Sequence, residues 1–266
     1  MNPMLFLVDI SGLIHATYHV KVKSLAGEEL IADSIKSLMI RLDKLRDYLP
    51  NAQHVCVFDN PDRNIFRKSL VPEYKSSRTH SPEIPLIEEE AKEALSNESG
   101  WQSVVASDCY EADDAMASMA KQYNGKVIIH SSDRDLRACL ESGRVTILKS
   151  SRTPEPGGAM DLEYYTFDMF TEEFGFHAQC WPYYQLLVGS KDDIPGWDGV
   201  GDKKARTIME HAMNHLDKID VERADLKLNK TQKESYPEFK RQYRKLLMVR
   251  TLADFLPWPE HIERGA

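Results

Sequence analysis

Trp101-Gln102-Ser103-Val104-Val105, a short connection, and then Tyr110-Glu111-Ala112-Asp113-Asp114-Ala115-Met116-Ala117-Ser118-Met119-Ala120 read as a strand that runs into a helix. The helical part is rich in Ala and Met, has no breaker, and carries its apolar residues on one face. Glu111 and Asp114 stand three apart and share a helix face, while Asp113 lies about 100° round from its neighbour. Acids in a first turn are favoured by the helix dipole, and two would serve that purpose. A third carboxylate packed beside them costs repulsion unless a cation offsets it. By itself the stretch leaves simple capping and cation binding both open.

Further apolar runs lie on either side of this unit. Leu5-Phe6-Leu7-Val8-Asp9 and Gln53-His54-Val55-Cys56-Val57-Phe58-Asp59 are buried-strand patterns, each ending in an acid. Lys126-Val127-Ile128-Ile129-His130 leads at once into Ser131-Ser132-Asp133-Arg134-Asp135-Leu136, and Arg144-Val145-Thr146-Ile147-Leu148 is a fifth strand. Helical patterns at Leu13 to Val20, Leu30 to Leu49 and Ile84 to Asn97 fall between them. Strands alternating with helices predict an α/β domain with a mostly parallel sheet. After Leu148 comes a Pro/Gly-rich stretch, Arg152 to Gly158, and no later run reads as a buried strand. Helices are expected at Thr166 to Phe174, Ala178 to Val188, Lys203 to Met213 and Lys230 to Thr251. The expected division is therefore an α/β domain over 1–158 and a helical one over 159–266. Pro257 and Pro259 are expected to end the ordered core, with a frayed tail beyond.

Of the 266 residues, 42% are hydrophobic and 29% charged, the balance of a soluble globular protein. No apolar run approaches the roughly 20 residues of a membrane span, and the N-terminus lacks the basic flank and cleavage site of a signal peptide. Cys56, Cys109, Cys139 and Cys180 are scattered, which argues against a disulfide framework or zinc site and fits a reducing cytoplasm. The net charge of −8 argues against a nucleic-acid partner until its distribution is read. Arg63 to His80 holds five Lys/Arg against one acid, and Arg223 to Arg250 nine against three. Such segregation predicts cationic surfaces separate from an anionic pocket.

In an open parallel sheet, ligands sit outside the carboxyl ends of the strands. Asp9, Asp59, the Glu111, Asp113 and Asp114 group, and Asp133 with Asp135 all fall at that rim by topology. Singly, Asp9, Asp59 and Asp133 read equally as helix caps or turn formers. Together, seven carboxylates repel one another strongly in a cleft, and Mg²⁺ or Mn²⁺ relieves that repulsion with oxygen ligands. Two such clusters suit a pair of ions about 3.5–4 Å apart, the arrangement of two-metal phosphodiester chemistry. Arg67, Lys75 and Arg78, with Tyr74 among them, follow the second acidic strand end and suit a phosphate backbone and an unstacked base; a solvated loop is the plain alternative. Gly199-Val200-Gly201 followed by Lys203 and Lys204 reads as a helix–hairpin–helix whose amides face a phosphate, or else as a glycine-rich interhelical turn. Neither a Gly-x-Ser-x-Gly nor a Walker motif occurs. The histidines, His130 included, show no ligand spacing, and the four tryptophans read as packing residues.

The order and spacing of these motifs from Leu5 to Met213 resemble the 5′–3′ exonuclease/flap endonuclease family, which includes the N-terminal nuclease domain of bacterial DNA polymerase I and stand-alone phage enzymes. The resemblance rests on Asp9, Val57-Phe58-Asp59, Phe66-Arg67-Lys68, Glu73 to Arg78, Glu111 to Asp114, Ser132 to Leu136, and Ile194-Pro195-Gly196 to Ala205. It implies a PIN-like fold with an arch, here the short Tyr74 to Leu86 segment past which a 5′ strand would thread, and a helix–three-turn–helix DNA clamp, often with K⁺. It also implies Mg²⁺-dependent cleavage of 5′ flaps and duplex 5′ ends in DNA. By matching positions it assigns Asp9, Asp59, Glu111, Asp113 and Asp114 to a first metal, and Asp133, Asp135 and Asp192 to a second. Lys75 and Arg67 would contact the scissile phosphate, with Asp113 and Asp114 catalytic through the metal. Tyr74 would stack on the terminal base, and Arg78, Gly199, Gly201, Lys203 and Lys204 would hold DNA. The chain departs from the family at Gly189-Ser190-Lys191-Asp192-Asp193, where one acid of the second set is absent and Asp193 stands in place of the usual Asn. The reading is a monomeric 5′ nuclease of a bacterial or phage-infected cytoplasm. The alternatives are a family member that binds DNA junctions with weak or no cleavage, and a PIN-type ribonuclease.

Overall fold

The computed structural model describes residues 4–61, 65–76, 81–97, 100–150, 161–189, 194–212 and 227–264. Arg78, Asp192 and Asp193 lie outside the described residues. The chain begins with strand β1 (Met4–Asp9), helix α1 (Ile10–Lys21), helix α2 (Gly27–Tyr48) and β2 (Gln53–Phe58). Then come a one-turn helix α3 (Phe66–Leu70), α4 (Glu83–Asn97), β3 (Gln102–Val105), α5 (Ala112–Gln122) and β4 (Lys126–His130). A 3₁₀ turn (Asp135–Cys139), β5 (Val145–Ser150), β6 (Leu162–Tyr165) and α6 (Phe167–Phe174) follow. The rest is helical: α7 (Trp181–Val188) after a 3₁₀ turn at Ala178–Cys180, α8 (Asp202–Ala212) and α9 (Lys230–Arg250).

The six strands form one sheet in the order β3-β2-β1-β4-β5-β6, with every pair parallel except β5·β6. The central strands are apolar at consecutive positions because both faces are covered. Leu5, Leu7, Val55, Val57, Val127 and Ile129 face one core, shared with α5 and the C-terminal helices. Phe6, Val8, Cys56, Phe58 and Ile128 face the other, shared with α1, α2 and α4. The α/β class and mostly parallel sheet expected from the sequence are therefore present.

Three features depart from expectation. β6 lies beyond residue 158, pairs antiparallel with β5 and forms the sheet edge. Only Tyr165 of its four residues is buried, so it carries no apolar run to announce it. Helix α1 starts at Ile10, not Leu13, because Asp9 caps it through Gly12 N–H at 2.7 Å. Among the described residues, the C-terminal tail is packed as far as Ile262. Leu252, Ala253, Leu256, Trp258 and Ile262 are buried, and the Trp258 ring stacks on Tyr123 at 6.1 Å. The segment crosses α5: Ser118 Oγ donates to Ala253 O at 2.7 Å and accepts from Leu256 N at 3.2 Å. Helix α9 has already ended at Arg250, so Pro257 and Pro259 lie within this irregular, packed segment. Among the described residues, no helix is long and apolar enough to cross a membrane, and the four cysteines are free thiols.

Candidate metal centre

The parallel register brings the ends of β1, β2 and β4 to one rim, where the N-terminus of α5 meets them. Asp9 ends β1, and its Oδ1 accepts from Gly12 N. A Cβ on Gly12 would stand 2.4 Å from Asp9 Oδ2, so this close approach requires glycine. Ser131 Oγ donates to Asp9 Oδ2 at 2.8 Å and accepts from Asp133 N at 3.0 Å, tying β1 to the loop after β4. Asp59 Oδ1 accepts from Ala112 N at 2.7 Å, which fixes the start of α5 against the end of β2. Asp9 is thus the N-cap of α1, while Asp59 holds the first amide of α5, whose own cap is Glu111.

Asp113, Asp133 and Asp135 each offer a carboxylate oxygen, and these oxygens lie within 4.8 Å of one another. Asp133 is exposed, and the other two are half-buried. Burial, with the nearby charges of Asp133 and Glu111, pushes the Asp113 carboxyl well above its usual range, against the opposing pull of Lys75. Burial likewise raises Asp9 to about 6; Asp59 and Asp133 add to this, and the bonds from Gly12 and Ser131 oppose it. A cleft of oxygen donors whose ionisation is held back by burial first and mutual repulsion second fits a hard divalent cation, which replaces the protons with a larger charge.

The other two acids of the same turn are used differently. Asp114 is fully buried. Its Oδ1 accepts from Arg67 Nη2 at 2.7 Å and Ala253 N at 2.8 Å. Its Oδ2 accepts from Arg67 Nη1 at 2.6 Å and Glu111 N at 3.1 Å. Four donors occupy the carboxylate's full acceptor capacity. Asp114 is thus a correction to the expected ligand set: it faces the core, while its neighbour Asp113 faces the rim. Arg67 is corrected with it. Only 2% exposed, it also donates through Nε to Val249 O at 2.9 Å and through Nη1 to Glu111 Oε2 at 3.0 Å, with no face left for a phosphate.

Glu111 is buried beneath a cover of cations. Lys75 Nζ donates to its Oε1, and Tyr74 Oη donates to Oε2 at 3.1 Å. Tyr74 is 4% exposed, and burial pushes its phenol up. Its ring is therefore not open to stack on a base, contrary to expectation. Lys75 has φ +56°, a left-handed conformation that is uncommon for a side chain of this size. Arg67 and Lys75 both reach Glu111, but the Lys75 side chain keeps 17% of its surface exposed where Arg67 is enclosed.

On the far side, Gly199 has φ +78°, and its carbonyl accepts from Gln232 Nε2 at 2.8 Å. This holds the 194–201 turn against the start of α9. Gly201 and Lys203 are exposed at the N-terminus of α8, whereas Lys204 Nζ donates to Lys227 O at 3.0 Å. Sequence reasoning missed three residues of the rim. Ser131 is not legible as a site residue, because a serine after a strand carries no signal of its own. Gln185, whose Nε2 donates to Asp135 Oδ1, and Arg250, whose Nη1 lies 3.8 Å from Asp135 Oδ2, sit on α7 and α9, 50 and 115 residues away in the chain.

Residues 4–175 match the family described as 5′-3′ exonuclease, N-terminal resolvase-like domain. A 5′-3′ exonuclease of Halalkalibacterium halodurans is 29% identical over 221 residues, covering 79% of this chain and 70% of that protein. DNA polymerase I of Pseudomonas aeruginosa is 27% identical over 205 residues, covering 76% of this chain but 21% of the polymerase. The fold is similar to that of a bacteriophage T5 flap endonuclease solved as a pseudo-enzyme–product complex with DNA and metal ions. The TM-score is 0.68 at 18% identity, covering 94% of this chain and 89% of that one. With the strand-end carboxylates gathered at one rim and the family match running over most of the sheet domain, the chain belongs to the 5′-3′ exonuclease family of nucleases.

Proposed function

We propose that this chain hydrolyses phosphodiesters in DNA at 5′ flaps and 5′ ends with divalent metal ions, Mg²⁺ or Mn²⁺, held at the rim. The convergence of Asp113, Asp133 and Asp135 beside Asp9 and Asp59 carries the reading. When bound, the ions neutralise charge on the scissile phosphate and lower the pKa of attacking water. The chain's own residues hold and orient. Asp9, Asp59 and Asp113 form one set of oxygen donors, and Asp133 with Asp135 the other, with Asp192 and Asp193 as further candidates of the second set. Lys75 meets a phosphate oxygen from above Glu111, and its backbone conformation fixes that approach in advance of substrate. Arg78 is a second candidate for that phosphate. Gly199, Gly201 and Lys203 offer a duplex backbone the amides and charge of a helix–hairpin–helix, with K⁺ a candidate bridge. The division of labour is a nuclease unit over 1–158 and a DNA clamp over 159–266, in a monomer working in the cytoplasm.

A 5′-flap duplex labelled at its 5′ end tests this reading. Release of the flap in Mg²⁺, and none in EDTA, is the expected result. Tight binding without turnover would favour a DNA-binding member of the family, and preferential cleavage of single-stranded RNA would favour a ribonuclease. Lys75→Met is expected to lower turnover on the flap by about 10²–10³-fold, the usual cost of one preorganised charge at a transition state.

A further inference from the structure

Two arginines are buried near the rim, and they differ in one respect. Arg67 spends its donors on Asp114, Glu111 and two backbone carbonyls. Arg250, in the last turn of α9, is just as buried, with 1% of its side chain exposed. Yet its Nε and Nη2 have no hydrogen-bond partner among the described residues, and its Nη1 lies 3.8 Å from Asp135 Oδ2. A guanidinium placed out of water without its hydrogen bonds is costly unless a strong negative field compensates. The field here is that of Asp113, Asp133 and Asp135, whose carboxylate oxygens converge within 4.8 Å. The other oxygen of Asp135 is gripped from α7 by Gln185 Nε2, and the Gln185 carbonyl oxygen is likewise without a partner among the described residues. Asp135 is thus held from behind by the two helices of the C-terminal part, one side chain neutral and the other a permanent cation.

We propose that Arg250 is the built-in counter-cation of the Asp133–Asp135 half of the centre. Its guanidinium supplies a standing positive charge at the place where the family resemblance expects a second resident ion, so this half binds a divalent cation weakly. The inference rests on the metal-dependent reading above. It also agrees with a sequence feature that lies apart from Arg250: Ser190 and Lys191 stand in the segment Gly189 to Asp193, where the resemblance implies a further acid. A fixed +1 charge behind a ligand repels a dication in front of it, and removing that charge strengthens binding at the shared carboxylate.

The experiment is a Mn²⁺ titration of the full chain without DNA, following free Mn²⁺ by its electron paramagnetic resonance signal. Arg250→Met keeps the length of the side chain and removes its charge; Arg250→Lys keeps the charge. The Met variant is expected to bind Mn²⁺ about tenfold more tightly at the weaker site, and the Lys variant to match the parent. Asp135→Asn in the Met background is expected to abolish the gain. Unchanged or weaker Mn²⁺ binding in a folded Met variant overturns the proposal, because a purely packing arginine gives no gain in cation affinity. If Arg250→Met fails to fold, Arg250→Gln is read by the same criterion, and loss of fold in both variants overturns the proposal in favour of a structural role. No Mn²⁺ binding to any form, parent included, would overturn the metal-dependent function itself, whereas binding that ignores residue 250 overturns only this inference.

Discussion

At the scale of the residue, Asp113 and Asp114 are adjacent in the chain and opposite in orientation, one at the rim and one locked to Arg67. Asp113→Asn removes a carboxylate whose charge burial and Asp133 already oppose. It is expected to abolish flap cleavage with little loss of stability, measured by thermal melting in EDTA. Asp114→Asn removes the bidentate partner of buried Arg67 and leaves it Glu111 alone, and is expected to cost about 3 kcal/mol in urea unfolding. An Asp114 variant that melts like the parent would return this residue to the ligand set. The pH dependence at this rim is set by His130 in one sense and by Asp9, joined by the raised Asp113 carboxyl, in the other. His130, buried beside Leu148 O and near Arg41, is held down to about 4, below its ordinary value. The unfolded chain therefore takes up a proton that the folded chain refuses, and stability falls as pH drops from about 6.5 through 4. Asp9, raised to about 6, acts in the opposite sense: its contribution is present at low pH and is lost as pH rises through 6. His130→Phe is expected to leave only the second trend, so that the metal-free variant is less stable at pH 6.5 than at pH 4.5. Melts at the two pH values check the sign. That carboxylates crowd this rim was legible in the sequence from strand-ending acids alone. Which of two adjacent aspartates points outward was not, because both helix registers satisfy the same local pattern.

At the scale of the element, α5 is clamped at both ends. Asp59 and the Asp114–Arg67 pair fix its start, and the segment after α9 runs along its length. Ser118 serves that segment twice, as donor to Ala253 and acceptor from Leu256. Ser118→Ala leaves a buried carbonyl and a buried amide unpartnered and is expected to cost about 1–3 kcal/mol in urea unfolding. Trp258→Ala removes a ring stacked on Tyr123 and is expected to cost about 3–5 kcal/mol. If truncating Trp258 changed stability by under about 1 kcal/mol, the tail would be a passenger and not a clamp. The strands and most helices were legible because their apolar patterns have the right period. Neither β6 nor the tail was, since β6 is half-exposed at an edge and the tail is irregular. Its order depends on side chains of α5 and β3 more than a hundred residues earlier.

At the scale of the whole molecule, one hydrophobic core runs from Leu5, Val55 and Val127 of the sheet through Trp181 and Leu187 of α7 to Phe239 and Val249 of α9. The expected division at residue 158 thus separates segments that share a core, and the metal-free chain is expected to melt in a single transition by calorimetry. Under the proposed metal-dependent reading, Mg²⁺ at a hundred times its dissociation constant is expected to add about 2.7 kcal/mol to the folded form, a gain that EDTA removes. The sequence by itself determined the class of fold, the family and the edge of the sheet where the carboxylates gather. All three follow from short-range period, from motif order and from the rule that parallel strands end on one side. The tertiary structure alone decided which carboxylates face solvent and which are locked to Arg67. It also buried Tyr74 against Glu111 and brought Arg250 beside Asp135. Those outcomes depend on where α3, α7, α9 and the tail pack against α5, and long-range packing of this kind leaves no periodic trace in the chain.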